Sequence, residues 1–256
     1  MIFTNLIKTN LRTKTFGRRI EYYQRLESTN KEAWELIDAD KAENGMIVIT
    51  DHQFSGKGRN SNKWYMSPSK GLAMSIIILE SLDISKAQLI PLAAGLAVAK
   101  ALTNRGSNPK LKWPNDILVN KQKIAGILIQ NKLKGNYITH SVIGLGLNVN
   151  QLVFEVFSPL ATSLRLQLSN VYDVSNIQSQ FLSFLFERLK RLKAGENQEN
   201  EYLKVLFLKD KLAAFESNNK QFMGIIKGVS ESGALLVQLE NDSIYVFENQ
   251  QIKYLF

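Results

Sequence analysis

Two apolar runs, LKWPNDILVN and QKIAGILIQ, stand almost back to back in the middle of the chain, parted by a polar turn near Asn120–Gln122. Runs of this kind, rich in β-branched residues and separated by turn chemistry, close as a hairpin. A sheet with antiparallel pairing therefore has to lie at the centre of whatever this chain forms. Other segments extend it. GMIVITDHQ (Gly45–Gln53) and LAMSIIIL (Leu72–Leu79) read as buried strands, and YITHSVIGLGLNVN (Tyr137–Asn150) reads as a further strand ending in a glycine-spaced turn.

Helices fill the gaps between these strands. ESTNKEAWELI opens with cap-type residues and places Ala33, Trp34 and Ile37 at helical spacing, so a helix is expected from Ser28 or Thr29. SKAQLIPLAAGLAVAKAL is expected as an Ala/Leu-rich helix capped by Ser85, with Pro91 tolerated only in its first turns. From about Ser175 to Lys193, residues Phe181, Leu182, Leu185, Leu189 and Leu192 supply an apolar stripe suited to core packing. After about Asp210 the pattern changes to short strands punctuated by Gly224, Gly228 and Gly233. So short a segment buries little surface alone, and a compact β-barrel-like appendage docked on the main domain is expected. The expected fold class is α+β, with a catalytic domain over 1–208 and a small β domain over 209–256.

Composition narrows the chemistry. Among 256 residues, 45% are apolar, enough for a real core. The absence of cysteine excludes disulfides, thiolate catalysis and thiolate zinc sites, and two histidines argue against a histidine-rich metal site. The amino-terminal stretch MIFTNLIKTNLRTKTFGRRI is too polar for a signal peptide, and no apolar run reaches membrane-spanning length, so cytoplasmic residence with no membrane partner is expected. The net charge of +9 suits nucleic acid, a membrane surface, acidic small molecules or simply a solvated basic surface, and does not choose among them.

FSGKGRNSNKW (Phe54–Trp64) is the segment that asks for a ligand. It is not a Walker loop, because Gly58 is followed by Arg59 rather than Lys and a hydroxyl. Nor is it a dinucleotide turn, because Ser61 stands where a third glycine is needed. Its glycines still permit close backbone approach. Arg59 can clamp a carboxylate or phosphate with two parallel hydrogen bonds, and Trp64 offers a flat stacking face. Gln53, the Lys112–Asp116 turn, Lys123 with Gly126, and Gly144–Asn148 all stand at expected strand ends. Asp116, beside Lys112, could hold magnesium or orient a nucleophile. No Ser–His pair is present. Fixed cations and amides favour a reaction run by positioning and neutralising anions: an acid attacking a nucleotide phosphate.

ESTN (Glu27–Asn30), HQFSGKGRNSNKW, KWPND (Lys112–Asp116), KIAGIL (Lys123–Leu128) and GLGLNVN (Gly144–Asn150) occur in the order and spacing of the biotin protein ligases. The chain resembles that family over about residues 20–170, and more loosely beyond. The resemblance implies a catalytic fold like that of class II synthetases with a small SH3-like barrel. It also implies a two-step reaction. ATP and biotin, with Mg2+, give biotinyl-5′-AMP and pyrophosphate; biotin then passes to a lysine of a biotin carboxyl carrier protein, as in acetyl-CoA carboxylase. Ser28, Thr29, Asn30 and Gln53 resemble contacts to the biotin head. Gly56, Lys57, Gly58 and Arg59 resemble the loop folding over biotin and the adenylate phosphate, with Gly126 beside the biotin. Lys123 resembles the lysine reaching the carboxylate and α-phosphate. Trp64, Lys112, Asn115 and Asn148 resemble contacts to the nucleotide, and Asp116 the carboxylate near the metal and the incoming lysine. Lys123, Arg59 and Asp116 are the residues implied in catalysis.

Three departures stand out. Lys57 replaces an arginine of the usual Gly-Arg-Gly-Arg loop, Ser61 replaces a common glycine, and QQIKYLF lacks a frequent arginine. With almost nothing ahead of the catalytic segment, no winged-helix domain and no DNA control are expected, and the chain would be a monomer or homodimer. A lipoate or octanoyl protein ligase shares the fold, but KWPND and the Gly-x-Gly-Arg loop argue against it. A basic nucleic-acid module is disfavoured by the mixed or acidic ALLVQLENDSIYVFE.

Overall fold

Eight strands gather the apolar runs into one mixed sheet in the computed structural model, which describes residues 17–154 and 160–255. Most of the amino-terminal stretch read above as too polar for a signal peptide lies outside the described residues. The strands are β1 (Ile20–Leu26), β2 (Ile47–Gln53), β5 (Gly71–Ile78), β6 (Leu82–Asp83), β7 (Lys110–Lys112), β8 (Asp116–Val119), β9 (Gln122–Lys134) and β10 (Tyr137–Asn148). Between β2 and β5, β3 (Gly56–Lys57) and β4 (Lys63–Trp64) pair as a separate two-stranded ladder. The main order is β1-β2-β5-β10-β9-β8-β7, with β6 against β10. Only β1 and β2 run parallel, joined through helix α1 (Thr29–Asp38).

Alternation along β2 sets both faces of the sheet. Val48 joins Ala33 of α1, Ile77 and Val142 in one apolar cluster, while Ile47 and Ile49 join the larger cluster on the opposite face. That second face is covered by α2 (Leu89–Thr103) and α4 (Val174–Lys193), which pack together. Helix α2 is buried on nearly every side, which explains its all-apolar sequence. Phe181, Leu182 and Leu185 of the α4 stripe are buried in this core.

Several local expectations need correction. Ser85 does not cap α2. It sits in a 3-10 turn, Ile84–Lys86, where Asp83 Oδ1 accepts the Ser85 N–H at 2.9 Å. Starting at Leu89 instead leaves Pro91 as the third helical residue, where a first-turn N–H has no intrahelical partner to lose. LKWPNDILVN is two strands rather than one. Pro114 breaks the run, and Lys112 pairs with Asp116 across a tight turn containing a cis Trp113–Pro114 bond. The next turn falls as expected, with Asn120 and Lys121 both at positive φ. Gly144 and Gly146 do not form a turn; both lie inside β10 and pair on either side. Strand β1 and the short helices α3 (Leu164–Leu168) and α5 (Glu199–Val205) carry no clear signal in the sequence.

The carboxy-terminal strands β11 (Leu212–Ser217), β12 (Lys220–Val229), β13 (Leu235–Gln238), β14 (Ile244–Phe247) and β15 (Lys253–Leu255) form an antiparallel sheet, ordered β14-β13-β12-β11-β15. Phe215 organises its core, with ring centroids 5.7 Å from Phe222 and 5.4 Å from Tyr254. The arrangement is consistent with an SH3-like unit. Among the described residues its end strands do not pair with each other, so no barrel closes. Trp113 ties this sheet to the first one, its indole N–H donating to the Gly233 carbonyl at 2.8 Å.

Candidate functional site

Glycines pave the floor of a cavity of about 500 Å³, which opens between the main sheet and the end of the carboxy-terminal sheet. Gly126 of β9 lies directly across from Gly146 of β10, and Gly144 follows two residues before on the same face. The reason for these glycines is what crosses them. A Cβ at position 146 would stand 2.3 Å from the Trp64 indole, and one at 144 would stand 2.1 Å from Asn30 Oδ1. Glycine here makes room for two side chains that belong to other elements.

One end of the cavity is a neutral hydrogen-bonding network. Residues Ser28, Thr29 and Asn30, where α1 begins, are buried. Gln53 at the end of β2 accepts from the Thr29 backbone N–H at 2.8 Å. Ser75 Oγ lies 2.8 Å from Thr29 Oγ1 and 2.7 Å from Asn30 Oδ1, while Asn30 Nδ2 donates to Gln130 Oε1 at 2.9 Å. Ser75 and Gln130 were not singled out in the sequence. Ser75 did leave a signal, as the only hydroxyl inside the apolar run LAMSIIIL.

The other end is cationic. Lys57, Arg59, Lys63, Lys112, Lys123 and Lys253 line the cavity against a single carboxylate, Asp116. Lys123 Nζ meets Asp116 Oδ1 at 2.6 Å and lies 5.6 Å from the centre of the Trp64 ring. Lys112 sits over the Tyr254 ring at 5.0 Å. Burial pushes the Lys112 ammonium below its ordinary value, opposed by Asp116 and aided by Lys123. Burial likewise lowers Arg59, with Asp116 opposing. Both shifts have one physical cause: burial withdraws the water that would solvate these cations.

The β3–β4 ladder forms a lid, Gly56–Trp64, over this end. Its tip is closed by Gly58 N–H donating to the Asn62 carbonyl at 2.7 Å, with Asn60 in the left-handed region at φ 54°. Lys57 is exposed and faces Lys63 across the ladder. Two residues of the sequence reading stand off the cavity wall. Gly56, at the base of the lid, is packed where a Cβ would stand 2.3 Å from Gln53 Nε2. Asn148 is buried beneath, its amide donating to the Thr162 carbonyl at 3.0 Å and its Oδ1 without a partner among the described residues. Asn115 lines the cavity with its amide turned to the Ile127 carbonyl at 2.9 Å. Asn249, Gln250, Ile252, Lys253 and Tyr254 also contribute, and no motif in the sequence pointed to them.

Residues 22–148 match the model of the biotin/lipoate A/B protein ligase family. The chain carries a domain of that family. The domain spans both ends of the cavity, from the α1 start to the glycine floor of β10. Over 243 residues the chain is 28% identical to the bifunctional ligase/repressor BirA of Bacillus subtilis, covering 91% of this chain and 73% of that one. With the biotin–[acetyl-CoA-carboxylase] ligase of Mycobacterium tuberculosis it shares 25% identity, covering 90% of this chain and 86% of the relative. Among solved structures, the biotin protein ligase of Aquifex aeolicus in complex with biotin and ATP superposes with a TM-score of 0.76 at 23% identity, over 93% of this chain and all of that one. The fold of the ligase domain is thus shared, and the geometry above decides what it does here. No helix among the described residues is long and apolar enough to cross a membrane.

Proposed function

We propose that the chain is an ATP-dependent biotin protein ligase. The observation that carries this reading is a cavity with two unlike ends: a neutral amide–hydroxyl network and a cluster of six cations against one carboxylate. The neutral end suits a ureido ring, which presents both donors and acceptors, and offers nothing to the dithiolane of lipoate, which presents neither. The cationic end suits a nucleotide triphosphate. A molecule with a polar head and a carboxylate tail, bound head-first at the Thr29–Asn30–Gln53 network, places its carboxylate toward Lys123.

In the first step the biotin carboxylate oxygen attacks the α-phosphorus of ATP, and the bond to the bridging oxygen breaks, releasing pyrophosphate. Lys123 and Arg59 stabilise the charge that gathers on the α-phosphate oxygens, and the lid excludes water from the anhydride formed. In the second step an acceptor lysine attacks the acyl carbon and AMP leaves. Asp116, already holding Lys123, is placed to orient the incoming amine. Trp64 and Lys112 flank the nucleotide side. Relatives named for acetyl-CoA carboxylase point to a biotin carrier domain as the acceptor.

For magnesium the fit is narrow. Among the described residues no group of three His, Cys, Asp or Glu comes together, and Asp116 is the one carboxylate on the cavity wall. A magnesium ion commonly uses one or two carboxylates and completes its shell with phosphates and water. Asp116 would hold it here, and the ion would neutralise polyphosphate charge.

Pyrophosphate release in the presence of ATP and biotin, followed by transfer to an isolated carrier domain, tests the reading. Release driven by lipoate and not by biotin would overturn it.

A further inference from the structure

The lid tip and the carboxy-terminal sheet meet at a pair of amides. Gln250 Nε2 donates to Asn60 Oδ1 at 2.7 Å, joining positions 190 residues apart. Each partner is presented by a turn that holds its own shape. On the lid side, Gly58 N–H donates to the Asn62 carbonyl at 2.7 Å and Asn62 N–H to the Arg59 carbonyl at 3.0 Å. On the sheet side, Glu248 N–H donates to Gln251 Oε1 at 2.8 Å and Gln251 N–H to the Glu248 carbonyl at 3.1 Å. Both amides extend from left-handed backbones, φ 54° at Asn60 and 74° at Gln250, so neither residue sits in a relaxed extended strand.

The ladder beneath the lid is only two residues on each strand, Gly56–Lys57 and Lys63–Trp64. A hairpin that short is marginal in water without further contacts. Arg59, whose guanidinium lines the cationic end, is the immediate neighbour of Asn60. Residues Asn249, Ile252, Lys253 and Tyr254 around Gln250 line the same cavity. The amide pair therefore ties the short lid hairpin to the carboxy-terminal sheet across the cavity they share.

We propose that Gln250 is a positioning residue that holds the lid closed through Asn60 and thereby lengthens the residence of a bound acyl-adenylate. The residence part rests on the function proposed above; the closure part does not. Trypsin separates them, because Lys57, Arg59 and Lys63 give it three cleavage sites within the lid. Where reclosing is fast, cleavage reports the population of the open lid. Both amide side chains are on the surface, so Gln250→Ala and Asn60→Ala leave the core intact.

In the ligand-free protein each single variant is expected to speed tryptic cleavage at the lid about three- to tenfold, the range of one net hydrogen bond. The double variant is expected to be cut no faster than the quicker single one. Unchanged cleavage, or two effects that multiply, overturns closure by this pair. Synthetic biotinyl-5′-AMP, bound to the parent chain and chased, should dissociate faster from Gln250→Ala by a similar factor. Faster cleavage with unaltered dissociation overturns the link to residence. A parent chain that fails to hold biotinyl-5′-AMP overturns the residence part together with the ligase reading, while the trypsin comparison still decides closure.

Discussion

At the scale of single residues, two substitutions separate chemistry from shape. Lys123 is partly exposed and its pair with Asp116 lies at the cavity surface, where such a pair contributes about 1 kcal/mol or less to stability. Lys123→Ala should therefore leave the unfolding midpoint nearly unmoved. Pyrophosphate release should fall about 10²- to 10³-fold, as for loss of one group aimed at developing charge. Comparable release from the variant would remove Lys123 from the chemistry. Gly144→Ala is the converse case. The new methyl would stand 2.1 Å from Asn30 Oδ1, so the amide must leave its place beside Ser75. Stability should drop by about 1–3 kcal/mol, as for overpacking, and the biotin KM should rise while the nucleotide KM holds. A normal biotin KM would show that the Asn30 amide does not touch biotin.

At the scale of elements, β5 is the strand whose identity matters most to the site. Its apolar residues serve the core, and Ser75 alone reaches between Thr29 and Asn30. Ser75→Ala should leave a buried amide oxygen without this donor, destabilising the chain by about 1–3 kcal/mol and weakening biotin binding in parallel. Chemical denaturation beside a biotin titration checks both. How well elements could be read from the sequence depended on how local their causes are. The α1 start and β2 were legible because capping residues and a β-branched run act over a few positions. The roles of Gly144 and Gly146 were not, because the side chains they accommodate belong to Asn30 and Trp64, which lie over eighty residues earlier. Ser85 misled for the opposite reason: its hydroxyl found Asp83, two residues away, at 2.7 Å before it could cap a helix.

At the scale of the whole molecule, the two sheets share the cavity, and the charge they bring to it is unbalanced. The contribution of the carboxy-terminal strands was illegible in the sequence, since nothing local marks Tyr254 as a neighbour of Lys112 or Lys253 as part of the cavity wall. Burial lowers the affinity of Lys112 for its proton in the folded chain. A depressed ammonium opposes folding while it is charged in both states. That opposition is fully present at neutral pH and fades only as alkaline pH discharges the lysine. A bound polyanion should relieve it at neutral pH. ATP at about a hundredfold its Kd should stabilise the fold by about 2.7 kcal/mol. For a chain of this size that is roughly 5 °C or more in Tm. With that ATP concentration held fixed, the gain should shrink as salt rises, screens the site and raises the Kd. A shift indifferent to salt would argue that the cations do not face the phosphates.

The three tryptophans of the chain turn out to be distributed as built-in optical probes. Trp64 lies on the cavity wall, its indole N–H buried and without a hydrogen-bond partner among the described residues; Trp113 lines the same cavity and spans the join between the sheets through Gly233; and Trp34, on α1, donates to the Gln130 oxygen of the neutral network. With Trp34 and Trp113 replaced by Phe, the emission left from Trp64 should respond to ligands that fill the cavity. With Trp64 and Trp34 replaced, Trp113 should shift far to the red when the sheets part, since its indole is buried in the folded chain. Unlabelled protein in a fluorimeter can thus report occupancy and integrity as separate signals.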